Sequence, residues 1–306
     1  MRVVELPEIL AALDESEALA AVAEGFRRLS AGEAQVMAVG HLAFPDPPGD
    51  CHVKGAWLTG DDVFVVKLAS SFYDNPRRGL SSSNGFMAVV SAATGEVQAI
   101  LHDRGQLTDL RTAMAGAIAA RAIVRPRARV LGVVGAGVQG KLQAGLLARR
   151  LGLDEVLIWA RDGARAEAAA AETSARAAGL DELCARADLI VTTTPSTTPI
   201  LTAAMVRPGA RIVAVGADAP GKQELETALT ARARLVVDSR DQCVAHGEAG
   251  WAVRAGLVRE SDLIELGDLL ARPRAFGDDE TVIADLTGVG VQDVQIAKLA
   301  WSRLAT

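Results

Sequence analysis

The chain has 306 residues, half of them apolar and 23% charged, a globular balance with material for two ordinary domains. Its formal net charge of −6 excludes the broad basic face that nucleic acid or an anionic membrane would demand, while leaving room for a local cationic pocket. Cys51, Cys184 and Cys243 are far apart, no apolar stretch is long enough for a bilayer, and MRVVELPEIL lacks a signal-peptide pattern. The expectation is a cytoplasmic protein with reduced thiols. Cys51-His52 is the only Cys/His neighbour pair, so no metal site is expected.

The segment up to Ser30 reads as a helix, with Asp14 as cap, Glu17 three residues on, and Leu19, Val22, Phe26 and Leu29 on one face. AFPDPPGD then reads as a loop. From Cys51 to Asp103, HVKGAWL, DVFVVKLAS, FMAVVSA and EVQAILH alternate with TGDD, YDNPRRG and ATGE, which predicts an antiparallel sheet of meandering hairpins. A helix follows through LRTAMAGAIAARAIV, with Thr108 as its cap, Gly116 suited to close packing, and Arg125-Pro126 as its end. From Arg129 the rhythm changes. VLGVVGA, EVLIWA, DLIVTTT, RIVAVGA, RLVVDS and TVIADLTG are near-continuous apolar runs alternating with helical stretches, with a weak extra strand near Thr173–Ala177. That alternation predicts a parallel, doubly wound sheet. VQDVQIAKLAWSRLAT closes the chain as a helix after Thr287-Gly288.

Gly135-Ala136-Gly137-Val138-Gln139-Gly140 is a GxGxxG motif that follows a buried strand and opens the helix GKLQAGLLARRLG, the context that gives the motif meaning. The first glycine permits the turn, the second lets a pyrophosphate approach the backbone, and the third allows helix–strand packing. The helix amides and dipole would hold the diphosphate. The second strand ends Trp159-Ala160-Arg161-Asp162. Ala160 stands where an acid would read the ribose of NAD, and Arg161 follows, which tips the expectation toward NADP(H) over NAD(H). Asp162 remains within reach of a ribose, and Arg161 stacking on adenine is the alternative.

VVKLASSFYDNPRRGLSSSNG, LTDLRTAMAGAIAA, GAGVQG, VGADAPGKQEL and DLTGVGVQD, in this order and spacing, resemble the ornithine cyclodeaminase/mu-crystallin family across essentially the whole chain. The resemblance implies an α/β protein whose Rossmann domain, residues 123–290, is inserted into a smaller α+β substrate-binding and dimerisation domain, residues 1–122 plus 291–306. It also implies a homodimer, NAD(P)H as cofactor, and a small imino or amino acid as substrate. Lys67, Arg111 and Asp218 fall on the family's active-site positions. Arg111 offers planar paired donors to a carboxylate from the first turn of a helix. Lys67 interrupts an apolar strand and is otherwise an edge-shielding lysine. Asp218 follows a buried strand and is otherwise a cap for KQELETAL. The loop Gly79–Gly85 resembles a substrate-side loop, with Ser81 where a proline is frequent, and contributes Ser82 and Asn84. The arginine many relatives carry early in the first sheet is missing from AQVMAVGHLAF. Lys54, with His52 beside it, is expected to take part of that role, the alternative being a solvated strand lysine. Thr112, Thr193, Thr194 and Gly216 are expected on the cofactor side, though the threonines equally suit ordinary strand and turn positions.

Three functions compete. The first is an imine reductase or amino-acid dehydrogenase with net cofactor turnover, acting on an anionic imine such as iminosuccinate. The second is a cyclodeaminase that restores its cofactor each cycle, and the third a non-enzymatic ligand binder like mu-crystallin. Lys67, Arg111 and Asp218 together weigh against the last.

Overall fold

The computed structural model describes residues 1–72 and 74–305. In chain order its elements are β1 (Arg2–Glu5), α1 (Leu6–Ala11), α2 (Glu15–Ser30), β2 (Ala34–Val36), β3 (Gly40–Pro45), β4 (Pro48–Leu58), β5 (Val63–Phe72), β6 (Ser83–Ser91), β7 (Val97–His102) and α3 (Gln106–Ile123). There follow β8 (Val130–Val134), α4 (Val138–Leu151), β9 (Glu155–Trp159), α5 (Gly163–Thr173), β10 (Arg176–Ala177), α6 (Leu180–Arg186), β11 (Leu189–Thr192), β12 (Arg211–Ala214), α7 (Thr227–Ala231) and β13 (Arg234–Val237). The chain ends with α8 (Arg240–His246), α9 (Glu248–Arg254), β14 (Ile264–Glu265), α10 (Leu266–Ala271), β15 (Val282–Asp285) and α11 (Gly290–Leu304). Two compact units result: Met1–Arg111 with Val289–Thr306, and Thr112–Gly288. The division passes through α3 rather than at its end.

The first unit is a sheet of order β1-β7-β6-β5-β4-β2, with β3 also on β4; β1 runs parallel to β7 and the other pairs are antiparallel. Strand alternation sends Lys67, Met87 and Leu101 to one face, where they are buried, and leaves Val53, Val66, Leu68, Phe86, Ala88 and Ile100 half-buried on the other. Helix α11 packs on the buried face, its first turn so close to β4 that a Cβ on Gly290 would lie 2.8 Å from the Gly55 carbonyl oxygen. Helix α2 covers α11, and Gly25 permits that approach, since a Cβ there would meet Gln295 at 3.0 Å. Asp14 caps α2 as expected, accepting from the amides of Ser16 and Glu17.

Three expectations need correction here. The segment up to Ser30 is not one helix: Arg2–Glu5 pairs with β7, an edge-strand role that four residues cannot signal by periodicity. AFPDPPGD is mostly hairpin, with β3 and β4 pairing through Pro45 and Pro48 at the strand ends, where a missing N–H costs little. Helix α3 is capped not by Thr108 but by Asp103, whose carboxylate accepts the Leu107 amide at 2.9 Å, so Arg111 stands in its second turn.

The second unit is an all-parallel sheet of order β10-β9-β8-β11-β12-β15-β13-β14, the expected doubly wound fold. The chain leaves β8 for β9 and β10 on one side and returns to β11 and β12 on the other. The switch point, where such sheets open a ligand crevice, therefore lies between the carboxyl ends of β8 and β11. Gly116 serves the close packing expected of it: a Cβ there would strike the Gln143 side chain of α4 at 2.3 Å. Among the described residues no helix is long and apolar enough to cross a membrane.

Candidate active site

In the first unit, Lys54 and Lys67 face each other across β4 and β5, and both are buried, at 5% and 2% exposure. Arg111, 5% exposed, approaches the same point from α3. The residue that joins them is Asp293 in the first turn of α11: its carboxylate lies 2.9 Å from Lys67 Nζ and 2.9 Å from Arg111 Nε. Gln292 accepts a second Arg111 bond at 2.8 Å. Burial, with Arg111 next, pushes the Lys67 ammonium down to about 7. Burial also works to raise the Asp293 carboxyl, but Arg111 and Lys67 outweigh it and hold it below the usual range. Neither Gln292 nor Asp293 was singled out from sequence. Their signal is an acid and an amide in the opening turn of a helix otherwise buried by apolar residues.

His52 shares the Lys54 face, with Nε2 3.7 Å from Asp50 and its ring edge-on to His41. Asn84 does not join this cluster. Its register partner is Ser70, on the face opposite Lys67, and its carboxamide folds back onto the Gly85 amide at 2.8 Å. Ser82 lies just outside β6, its carbonyl accepting the Phe72 amide. Alternation along the strand is what puts Asn84 on the face opposite Lys67.

In the second unit, the glycine motif sits at the switch point. Gly135 has φ +123°, and a Cβ there would meet Thr193 Oγ1 at 2.5 Å. On Gly140 a Cβ would lie 2.1 Å from the Gly135 carbonyl oxygen, so this glycine is required for packing. Gly137 is different: it precedes the first turn of α4 with no side-chain cap, and a Cβ there would meet nothing within 4 Å. An open backbone at the start of a helix fits a dinucleotide diphosphate. Ala136 and Gln139 are partly exposed beside it, and Val138 is 45% exposed. At the end of β9 Arg161 is exposed, while Asp162 is taken up as the cap of α5, accepting the Ala164 amide. Thr112 is partly buried, its carbonyl accepting from Gln143.

Each hydroxyl of Thr192, Thr193 and Thr194 makes one bond within the unit. Thr192 donates to Glu224 at 2.7 Å, Thr193 to the Val134 carbonyl at 3.3 Å, and Thr194 accepts the Ser196 amide. Gly216 donates its amide to Glu224 at 2.8 Å. Asp218 follows β12 with its side chain 43% exposed and 2.6 Å from Lys222 Nζ. Its alternative reading as a helix cap fails, because the residues after it form a loop and α7 begins only at Thr227.

A doubly wound parallel sheet with a glycine turn at its switch point, joined in one chain to a sheet-and-helix unit that buries a cation cluster, is the architecture of two-part dinucleotide-binding proteins. The chain belongs to the ornithine cyclodeaminase/mu-crystallin family, whose profile matches residues 3–306. It is 43% identical over 304 residues, 94% of this chain and 91% of the other, to a Rhizobium meliloti protein that carries only a provisional dehydrogenase name. An archaeal alanine dehydrogenase dimer with bound NAD superposes with a TM-score of 0.90 at 31% identity, over 100% of this chain and 96% of that one. The iminosuccinate reductase of Paracoccus denitrificans in complex with NAD+ gives 0.89 at 33% identity, with the same coverage.

Proposed function

We propose that this protein is an NAD(P)H-dependent oxidoreductase that reduces a small anionic imine, iminosuccinate or a similar imino acid, to the amino acid, or runs the reverse. The observation that carries the reading is the charge of the buried cluster. Three cations, Lys54, Lys67 and Arg111, are buried together, with Asp293 between Lys67 and Arg111 and the buried Asp103 near enough to Lys67 to act on it. A buried group of lysines and an arginine offers charge-assisted bonds to the carboxylates of a substrate. A substrate ammonium in the same place would cost several kcal/mol. The named activities of the two structural neighbours, alanine dehydrogenase and iminosuccinate reductase, agree with this class.

Gly135 to Gly140 and the first turn of α4 would hold the dinucleotide diphosphate, with Arg161 at the adenosine end favouring NADP(H) and Thr112, Thr193, Thr194 and Gly216 on the cofactor side. When bound, the dinucleotide supplies the hydride that reduces the C=N carbon. Arg111 and Lys54 hold the carboxylates and so fix that carbon. The nitrogen also needs a proton. Lys67, poised at about 7, is suited to give it at neutral pH. Asp218, half-exposed and paired to Lys222, is the second candidate to carry that proton. Asp50 favours a second reading, a cyclodeaminase that recycles its cofactor, because it lies on the Lys54 face, where an acid could receive a substrate ammonium; here it is turned toward His52.

Lys54→Ala tests the assignment. It should raise KM far more for a dicarboxylate imine than for a monocarboxylate one, and equal changes would sink the role of Lys54. The half-buried apolar sheet face supports a symmetric homodimer. A monomeric mass by light scattering at micromolar concentration would contradict it.

A further inference from the structure

We propose that Glu224 is the positioning residue of the dinucleotide crevice, a buried carboxylate that holds the ends of β11 and β12 in the shape that receives the cofactor. The proposal rests on the dinucleotide reading above. Glu224 is fully buried. Its Oε2 accepts the Thr192 hydroxyl at 2.7 Å and the Gly216 amide at 2.8 Å, and its Oε1 accepts the Thr194 amide at 2.6 Å. Thr192 and Thr194 belong to the end of β11, and Gly216 to the end of β12, the strand paired to it. Between the two tied threonines, Thr193 places its hydroxyl against the glycine turn, 2.5 Å from where a Gly135 Cβ would lie and 3.3 Å from that of Gly140. The carboxylate thus fixes the half of the crevice beyond β8 and, through Thr193, the turn itself.

The backbone of Glu224 is fastened as well. Its carbonyl accepts the amides of Ile200 and Leu201, and its amide donates to Glu248 Oε1 at 2.5 Å. With three donors converging on both oxygens, the site calls for an acceptor-only group. Glutamine would keep the volume but present an N–H to an N–H. Burial raises the Glu224 carboxyl to about 6, so the arrangement holds at neutral pH and is lost as the group takes up a proton below that. Glu248, the acid facing its amide, is raised by burial to about 9, and Asp285 behind it to about 7, also chiefly by burial.

The test is NADH titration by fluorescence on the full chain, for wild type, Glu224→Gln and Thr192→Val, at pH 7.5 and 5.5. Glu224→Gln should weaken NADH about tenfold at pH 7.5 with circular dichroism unchanged, the order expected when a buried charge-assisted bond that shapes a site is lost. Thr192→Val, which removes one of the three donors, should weaken it less. Wild-type affinity should fall at pH 5.5, and that fall should be missing in Glu224→Gln; a fall due to Asp285 would survive in both. Unchanged affinity in Glu224→Gln, with or without a lower melting temperature, reduces Glu224 to a structural role and overturns the proposal. If Glu224→Gln does not fold, unchanged affinity in Thr192→Val does the same. A wild-type protein that binds neither NADH nor NADPH overturns the dinucleotide reading itself.

Discussion

Replacing Asp293 by Asn keeps the side chain's volume and removes the carboxylate that Lys67 and Arg111 share, each at 2.9 Å and each buried. Breaking a buried ion pair by removing one partner costs about 3–5 kcal/mol, because the other charge is left without compensation. Part of that cost is avoidable here. Lys67 already sits near 7 with Asp293 raising it, so without Asp293 it falls lower still and sheds its proton. Arg111 cannot do so, but it keeps its bond to Gln292. Above the wild-type value near 7, folded Lys67 is neutral in both proteins and the penalty is the smaller one, about 2 kcal/mol for Arg111. Below it, wild-type Lys67 is charged and paired, whereas the variant must hold it unpaired or neutral, and the loss should approach the full 3–5 kcal/mol. Urea unfolding followed by circular dichroism at pH 6 and pH 8 reads both values. Equal losses at the two pH values, or no loss at either, would refute the account of the cluster.

Gly137→Ala should leave the melting temperature unchanged, since its Cβ meets nothing within 4 Å, yet weaken NADH and NADPH at least about tenfold by blocking the diphosphate. Gly140→Ala should instead destabilise the fold, and Arg161→Ala should weaken NADPH more than NADH; titrations beside melting curves separate the three. Glu248 carries a carboxyl that burial raises to about 9. Between its ordinary range and that value the folded chain keeps a proton the unfolded chain has lost, so this group's contribution to stability falls as pH rises through the window. Glu248→Gln, which mimics the neutral acid, should therefore stabilise by on the order of 2–4 kcal/mol at pH 8 and change little at pH 5. A melting temperature lowered equally at both pH values would contradict it.

The parallel sheet was legible in the sequence because strands buried on both faces write continuous apolar runs, and the glycine motif because its strand and helix flank it. The two-residue β10 was legible only as a weak strand near Thr173–Ala177, and β1 carries too few residues for periodicity, so it was lost to the helix that follows. The cation cluster was half legible. Lys54, Lys67 and Arg111 stand out as charges inside apolar runs, but Asp293, more than 180 residues after Arg111, meets them only when α11 packs on the sheet, a pairing no local pattern encodes. Asn84, expected in a loop, lies in β6, where strand register puts it on the face opposite Lys67. Glu224 was hidden for a similar reason. In sequence it is one acid within KQELETAL, and only folding brings three donors to it.

The central claim is reduction with net consumption of cofactor, and stoichiometry tests it most directly. Oxaloacetate with ammonia, pyruvate with ammonia, and ornithine would each be supplied with NADH or NADPH, and cofactor oxidised would be compared with amino acid formed. The account predicts one reduced cofactor consumed per amino acid produced, fastest with the imine of oxaloacetate, and none with ornithine. Conversion of ornithine to proline and ammonia without net change in the cofactor would contradict it.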